Sequence, residues 1–235
     1  MNSERGSILL GLVLWLAVGA GLAGLERRLA PAADAGVEPG AAAFAALGPA
    51  AGWVADWGWL QANLAWERRK EEELRGWLRA VRAARPEADY FRVNSARMLA
   101  HDLPAWRHDA QPEAPAAVVA EWRRAGAREA LAWLEAERHG RAVLWIEAGD
   151  LAWQVLRDRD LAIVCYGRAA ALPGAPWHAG RQHARLLIEA GRWREARDFL
   201  RAWVPHLPAS EPAAQRALLE ERLAALEREL EAEGF

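Results

Sequence analysis

The feature that most constrains this sequence is a helical hairpin between Ala184 and Pro208. Two apolar stripes at helical spacing flank Gly191: Ala184, Leu187 and Ile188 before it, and Ala196, Phe199, Leu200 and Trp203 after it. Each helix offers one apolar face and the turn between them is short, so the hairpin cannot bury both stripes alone. The sequence therefore predicts further hairpins packed beside it.

A second copy of this hairpin lies 34 residues upstream. Three residues of its second helix precede their counterparts by that interval: Ala162, Tyr166 and Ala169 match Ala196, Leu200 and Trp203. A fixed period of this size indicates an array of helical repeats. We call the first helix of each repeat helix A and the second helix B.

These residues resemble the tetratricopeptide repeat (TPR), a 34-residue helical hairpin. Its pattern has a small residue where helix A crosses its partner. Helix B then carries an Ala, an aromatic residue or Leu, and a second Ala, and a Pro closes the repeat. The last repeat matches at Ala184, Gly191, Ala196, Leu200 and Pro208, and the preceding repeat at Ala162, Tyr166 and Ala169. The resemblance implies an all-α, right-handed solenoid of about four hairpins, and a scaffold rather than a catalyst.

The same register extends towards the amino terminus. When Pro86 is taken as the counterpart of Pro208, Ala62 corresponds to Ala184, and Ala96 follows Ala62 by 34 residues. Asp150 occupies the same position in the third repeat. It follows Ala96 by 54 residues, which is 20 more than the period. Three prolines at 104, 112 and 115 predict that this insertion is a loop over 101–115.

The sequence predicts four segments. They are an amino-terminal transmembrane anchor at 1–28, an Ala-, Gly- and Pro-rich linker at 29–51, a repeat domain at 52–209 with its insertion at about 101–120, and a capping helix at 210–235. In the last helix Leu219, Leu223, Leu226 and Leu230 form one stripe. A short dimerising coiled coil is the alternative for that stripe.

The anchor is predicted from the uncharged apolar run Ile8–Leu25. Its 18 residues reach about 27 Å as a helix, just enough for the hydrocarbon core of a bilayer. A cleaved signal sequence is the alternative. A stretch beginning at Ala96-Arg97-Met98 also resembles uncharacterised bacterial repeat proteins with such an anchor. We therefore expect a single-pass protein of a bacterial inner membrane, with its folded part outside the cytoplasm.

Charge and motifs exclude several functions. The net charge is −2 and basic residues are interleaved with acidic ones, so we expect no nucleic-acid partner. The lone Cys165 lies in an apolar stripe and is predicted to be a buried thiol. Catalytic and phosphate-binding motifs are missing from the sequence, so we predict no enzyme activity, no cofactor and no metal. A metal-dependent enzyme using His101 and His108 is the less favoured alternative.

The resemblance also implies a binding surface. In TPR-like arrays, residues at fixed positions of each helix A line the concave surface. Those positions here are Trp59, Asn63, Trp66, Tyr90, Arg97, His101, Glu147, Gln154, His178, Arg181, Arg185 and Glu189. Because Arg donates in a fork to carboxylates, this row suits an extended acidic segment of a protein partner. Two other interpretations remain: arginines that pair only with neighbouring glutamates, and a structural subunit whose tryptophans face other subunits.

Overall fold

The computed structural model describes residues 48, 50–135, 138 and 140–232, and the predicted anchor lies outside them. Over these residues the chain is helical and contains no β-strand. The α-helices are α1 (Ala50–Glu67), α2 (Glu71–Ala84), α3 (Asp89–Arg97), α4 (Leu103–Ala110), α5 (Ala116–Glu135), α6 (Ala142–Asp150), α7 (Arg159–Ala170), α8 (Trp177–Glu189), α9 (Trp193–Trp203) and α10 (Arg216–Ala232). Of these described helices, none is long and apolar enough to cross a bilayer.

Shorter helical turns join some of these helices. A π-helical turn follows α3 at Met98–Asp102, and another follows α6 at Leu151–Leu156. Two 3₁₀ turns, Val204–His206 and Pro212–Ala214, precede α10. The chain divides into two compact units, Met1–Phe91 and Arg92–Phe235, so the boundary falls within α3.

The first unit is built on the α1–α2 hairpin. The face of α1 that packs inward consists of small residues at helical spacing, Ala55, Gly58, Ala62 and Ala65. A Cβ at Gly58 would lie 2.9 Å from Val81 and 3.7 Å from Trp77, so only glycine lets α2 approach this closely. The close approach then buries Leu74 and Leu78 of α2 completely.

In the second unit, sequential helices pack against one another: α6 with α7, α7 with α8, α8 with α9, and α9 with α10. Their shared core includes Leu186, Leu187 and Leu200, each 2% exposed or less. Burying a leucine side chain of this kind stabilises the fold by about 2 kcal/mol. The leucine stripe of α10 is covered by the chain itself, because Leu219 and Leu226 belong to this core.

One helix crossing recurs in both units. A Cβ at Gly180 would lie 2.3 Å from the Trp203 ring, just as a Cβ at Gly58 would meet Val81. Gly180 follows Gly58 by 122 residues, and Trp203 follows Val81 by the same interval. This interval equals two 34-residue periods and the 54-residue step of the sequence register. The hairpins at the two ends of the described chain thus cross at equivalent residues.

The prediction of a loop over 101–115 is wrong for its first part. Residues 101 and 102 lie in a π-helical turn, and α4 continues the helix to Ala110. Pro104 is tolerated because it stands in the first turn of α4, after the wider π turn in which Leu103 donates to the Met98 carbonyl. The chain leaves the helix only at Gln111, before the prolines at 112 and 115.

His183 is held as a neutral imidazole between α7 and α9. Its Nδ1 lies 2.9 Å from the Ile163 carbonyl oxygen, and its ring meets Phe199 edge to face at 4.6 Å. Burial lowers the pKa of His183, and the hydrogen bond to Ile163 opposes this only in part. The folded state disfavours the imidazolium. The contribution of neutral His183 to the free energy of unfolding is therefore complete above the unfolded-state pKa of about 6.5 and is lost as the pH falls below it.

We therefore expect the free energy of unfolding to fall between pH 7 and pH 5, with His183 contributing at most about 1.4 kcal/mol per pH unit. Urea titrations across this range measure the slope. His183→Gln should flatten it, whereas His206→Gln, which changes an exposed imidazole, should leave it intact. Equal slopes in the wild type and His183→Gln would contradict the prediction.

Cys165 is fully buried in α7, as expected from its place in an apolar stripe. Burial raises the pKa of its thiol to about 11. At pH 8 the thiolate population is therefore small, and we expect reaction with a disulfide reagent to be roughly a hundredfold slower than for a free cysteine. Stopped-flow measurement with and without denaturant tests this, and an equally fast reaction in native protein would contradict it.

Candidate functional site

The twelve residues implied to form one concave surface are divided between the two units. Four of them belong to Met1–Phe91, namely Trp59, Asn63, Trp66 and Tyr90. The Trp59 ring meets the Tyr90 ring at 5.5 Å, and Asn63 donates to the Trp59 carbonyl at 2.7 Å. Tyr90 and Trp66 are exposed. Trp59 and Tyr90, together with Phe91, form a small aromatic group on α1 and the start of α3.

Arg97 and Glu147 are brought together. The Arg97 guanidinium donates to both Glu147 oxygens, from Nη2 at 2.7 Å and from Nε at 3.0 and 3.1 Å. The pair joins α3 to α6. The Glu147 side chain is 6% exposed and that of Arg97 is 57% exposed. Hydrogen bonding to Glu147 raises the pKa of Arg97, so the guanidinium stays protonated and the Glu147 carboxylate compensates its charge.

Beside this pair, Asp150 and Tyr166 form a hydrogen bond that was not predicted from the sequence. The Tyr166 hydroxyl donates to Asp150 Oδ1 at 2.5 Å, and the Tyr166 ring is 1% exposed. Burial, followed by this hydrogen bond, raises the pKa of Tyr166. A signal was present in the sequence, because Asp150 stands at the position where the other repeats have alanine, and Tyr166 at the position of Leu200.

Three adjacent cavities of about 410, 220 and 330 Å³ lie along α8. The first is closed by Ala213, and the other two are also lined by α10. The first two share His178 and Arg181, and the last two share Arg185 and Arg222. Because neighbouring cavities share lining residues, they follow one another along α8, and we call the three together the α8–α10 groove. It collects four of the predicted residues: His178, Arg181, Arg185 and Glu189.

Two arginines of the α8–α10 groove are fixed by the chain itself. Arg181 donates to the Ala213 carbonyl at 2.5 Å. Arg185 donates to Glu189 at 2.6 Å and to Gln182 at 2.8 Å, and its guanidinium lies 5.4 Å from the centre of the Trp153 ring. Arg222 on α10 is exposed and makes no ion pair or hydrogen bond with any described residue.

The remaining two predicted residues, His101 and Gln154, lie in a different place. They line a separate cleft formed by α4, α5 and the π-helical turn at Leu151–Leu156. His108 lies there as well, so the two histidines of the metal alternative do share one cleft. Within the part of the chain that the structure describes, no three His, Cys, Asp or Glu side chains are grouped to hold a metal ion.

No family model, curated protein or solved structure matches this chain. The candidate sites on this chain are therefore the α8–α10 groove, the outer face of α1 and the cleft around His101. The α1 helix has an exposed apolar face that includes Trp53 and Leu60.

Proposed function

We propose that this protein is a non-catalytic, membrane-anchored scaffold with a TPR-like solenoid fold. It docks an extended acidic segment of a partner protein in the α8–α10 groove. The observation that carries the proposal is the row of three neighbouring cavities whose lining runs along α8 from Trp177 to Glu189. The recurrent helix crossing at Gly58 and Gly180 supports the repeat architecture, and the apolar run Ile8–Leu25 supports the anchor.

The charges of the α8–α10 groove suit an acidic peptide. Four of its side chains are arginine or histidine, and its two carboxylates, Glu189 and Glu229, lie together in the last cavity. Leu218 is 54% exposed on the groove wall and offers an apolar contact between the cations. An extended segment with alternating acidic and apolar side chains would satisfy both features, since Arg forks bind carboxylates.

Site-specific photo-crosslinking in cells tests this proposal. A photoreactive residue at position 218, inside the groove, should capture one dominant partner. The matched control is position 164 on α7, where Val164 is 52% exposed but lies outside the groove. Arg222→Glu should abolish capture from position 218. Identical products from both positions, or capture that is indifferent to Arg222→Glu, would rule out docking in the groove.

A second candidate function is that of a structural subunit in a larger assembly. The observation that favours it is the outer face of α1, where Trp53 is 80%, Leu60 57% and Leu64 38% exposed. With Trp57 these residues stand at i, i+4, i+7 and i+11, so they form one stripe. Exposed apolar stripes of this kind mark protein contacts.

Light scattering of the full chain in mild detergent separates the two functions. A structural subunit should be recovered in a stable assembly that Trp53→Ser with Leu60→Ser dissociates. Val164→Ser removes an exposed side chain outside the stripe and should have no effect. Recovery of the wild type as a single copy, with no companion subunit, would leave only the scaffold.

A further inference from the structure

The cleft around His101 has an unusual charge distribution. It has a volume of about 860 Å³. One wall is the end of the first π-helical turn together with α4, the second is the first half of α5, and the third is residues 154–157. Its walls are mostly alanine and valine side chains, such as Ala105, Val119 and Val155. Small wall residues leave the space open, and the volume falls within the range of small-molecule sites.

Every ionisable side chain that lines this cleft is a histidine or an arginine: His101, His108, Arg123, Arg124 and Arg157. Arg124 is paired with Glu121 on the outer side of α5, at 2.9 Å. Arg123 and Arg157 have no ion pair or hydrogen bond with any residue that the structure describes. Most arginines elsewhere in the unit are matched, as Arg97 is by Glu147. The cleft therefore keeps two uncompensated positive charges.

The insertion in the second repeat builds much of this cleft. The insertion predicted at about 101–120 supplies seven residues to its lining: His101, Ala105, His108, Ala114, Ala116, Val119 and Ala120. The opposite wall ends at Arg157, whose backbone is left-handed with φ of 59°. The equivalent residue of the fourth repeat is Gly191, with φ of 72°. An arginine at a position that favours glycine costs free energy, and here it places a cation at the cleft.

From these observations we infer that the cleft binds a small soluble polyanion with two or more phosphate or carboxylate groups. Arg123 and Arg157 donate to two separate anionic groups, and Gln154 and the histidines supply further hydrogen bonds. Arginine forks match phosphate and carboxylate oxygens, and the alanine walls admit the body of the ligand. The cations are confined to a cleft of small-molecule size, which favours this ligand over an extended nucleic acid. This site is separate from the α8–α10 groove.

Isothermal titration calorimetry of the full chain with pyrophosphate and with citrate tests the inference. We expect saturable binding of at least one probe, and at least tenfold weaker binding in Arg123→Ala combined with Arg157→Gly. Both changes suit the backbone, because alanine favours the helical position of Arg123 and glycine favours the left-handed position of Arg157. Circular dichroism checks that the variant is folded.

The matched control is Arg168→Ala combined with Arg228→Ala, which removes two exposed arginines outside the cleft. It should bind the probes within about twofold of the wild type. Three results would overturn the inference: no binding of either probe at millimolar concentration, an equal loss in the control variant, or orthophosphate binding as tightly as pyrophosphate. Loss of partner capture from position 218 would bear only on the α8–α10 groove.

Discussion

Gly126→Ala should destabilise the Arg92–Phe235 unit by about 3 kcal/mol, the upper end of the usual cost of overpacking. A Cβ at Gly126 would lie 2.4 Å from the backbone carbonyl oxygen of Leu99 and 3.0 Å from the Pro104 ring. A carbon and a carbonyl oxygen in contact normally stay about 3.3 Å or more apart. Since a backbone atom cannot rotate away, α5 and the π-helical turn must separate.

The π-helical turn explains why the Leu99 carbonyl faces α5. In an α-helix this carbonyl would accept from Leu103, but Leu103 donates to Met98 instead. In a π-helix it would accept from residue 104, which is proline and has no N–H. The oxygen therefore receives neither helical hydrogen bond and is turned towards the Cα of Gly126, where a C–H can contact it.

Thermal unfolding and native-state hydrogen exchange measure the effect. We expect a midpoint lower by roughly 10 °C and faster exchange in α5 and the π-helical turn. Gly52→Ala is the matched control, because its Cβ would meet only an Arg85 Nη1 atom at 3.4 Å. That change should be neutral or stabilising by up to about 1 kcal/mol. Similar midpoints for the two variants would contradict the prediction.

Asp150→Ala should cost about 2 kcal/mol, because it leaves the buried Tyr166 hydroxyl without its acceptor. Tyr166→Phe should cost less, about 1 kcal/mol, since Asp150 is only half-buried and water can reach it. The ring itself is retained in phenylalanine, so its contact with Gly149, where a Cβ would lie 3.0 Å away, is preserved. Removing both polar groups should therefore cost less than the sum of the two single changes.

A double-mutant cycle in urea measures this coupling. The expected interaction energy is about 1 kcal/mol or more, within the range for residues in direct contact. Tyr90→Phe changes an exposed tyrosine in the other unit and should leave the stability nearly unchanged. Additive effects of Asp150→Ala and Tyr166→Phe would show that the hydrogen bond contributes little to stability. The presence of Asp150, where the corresponding positions hold alanine, would then need another explanation.

Much of the architecture was predictable because helical periodicity is a local property. The apolar spacing of Ala184, Leu187 and Ile188 predicted α8. Gly191 predicted the turn between α8 and α9, and Pro208 predicted the end of the hairpin. The 101–110 segment was predicted as a loop because a proline was taken as a helix breaker, whereas Pro104 stands where no N–H is needed.

The proposed binding residues were less predictable, because side-chain pairing is decided by neighbouring helices. Arg97 and Arg185 occupy the same repeat position, yet Arg97 is held by Glu147 of the next repeat and Arg185 by Glu189 of its own helix. Repeat position alone cannot distinguish a free arginine from a neutralised one. Arg123 and Arg157, which have no such partner among the described residues, were not singled out from the sequence.

The sequence by itself determined that the chain is helical and where α8 and α9 lie, since helical periodicity depends on spacing along the chain. Tertiary structure alone decided which face of α1 is buried. That helix is apolar on two sides, and Gly58 allows the small side to approach α2, which leaves Trp53 and Leu60 outside. It also created the cationic cleft, because His108, Arg123 and Arg157 are distant in sequence and meet only when α4, α5 and the turn at 151–156 pack together.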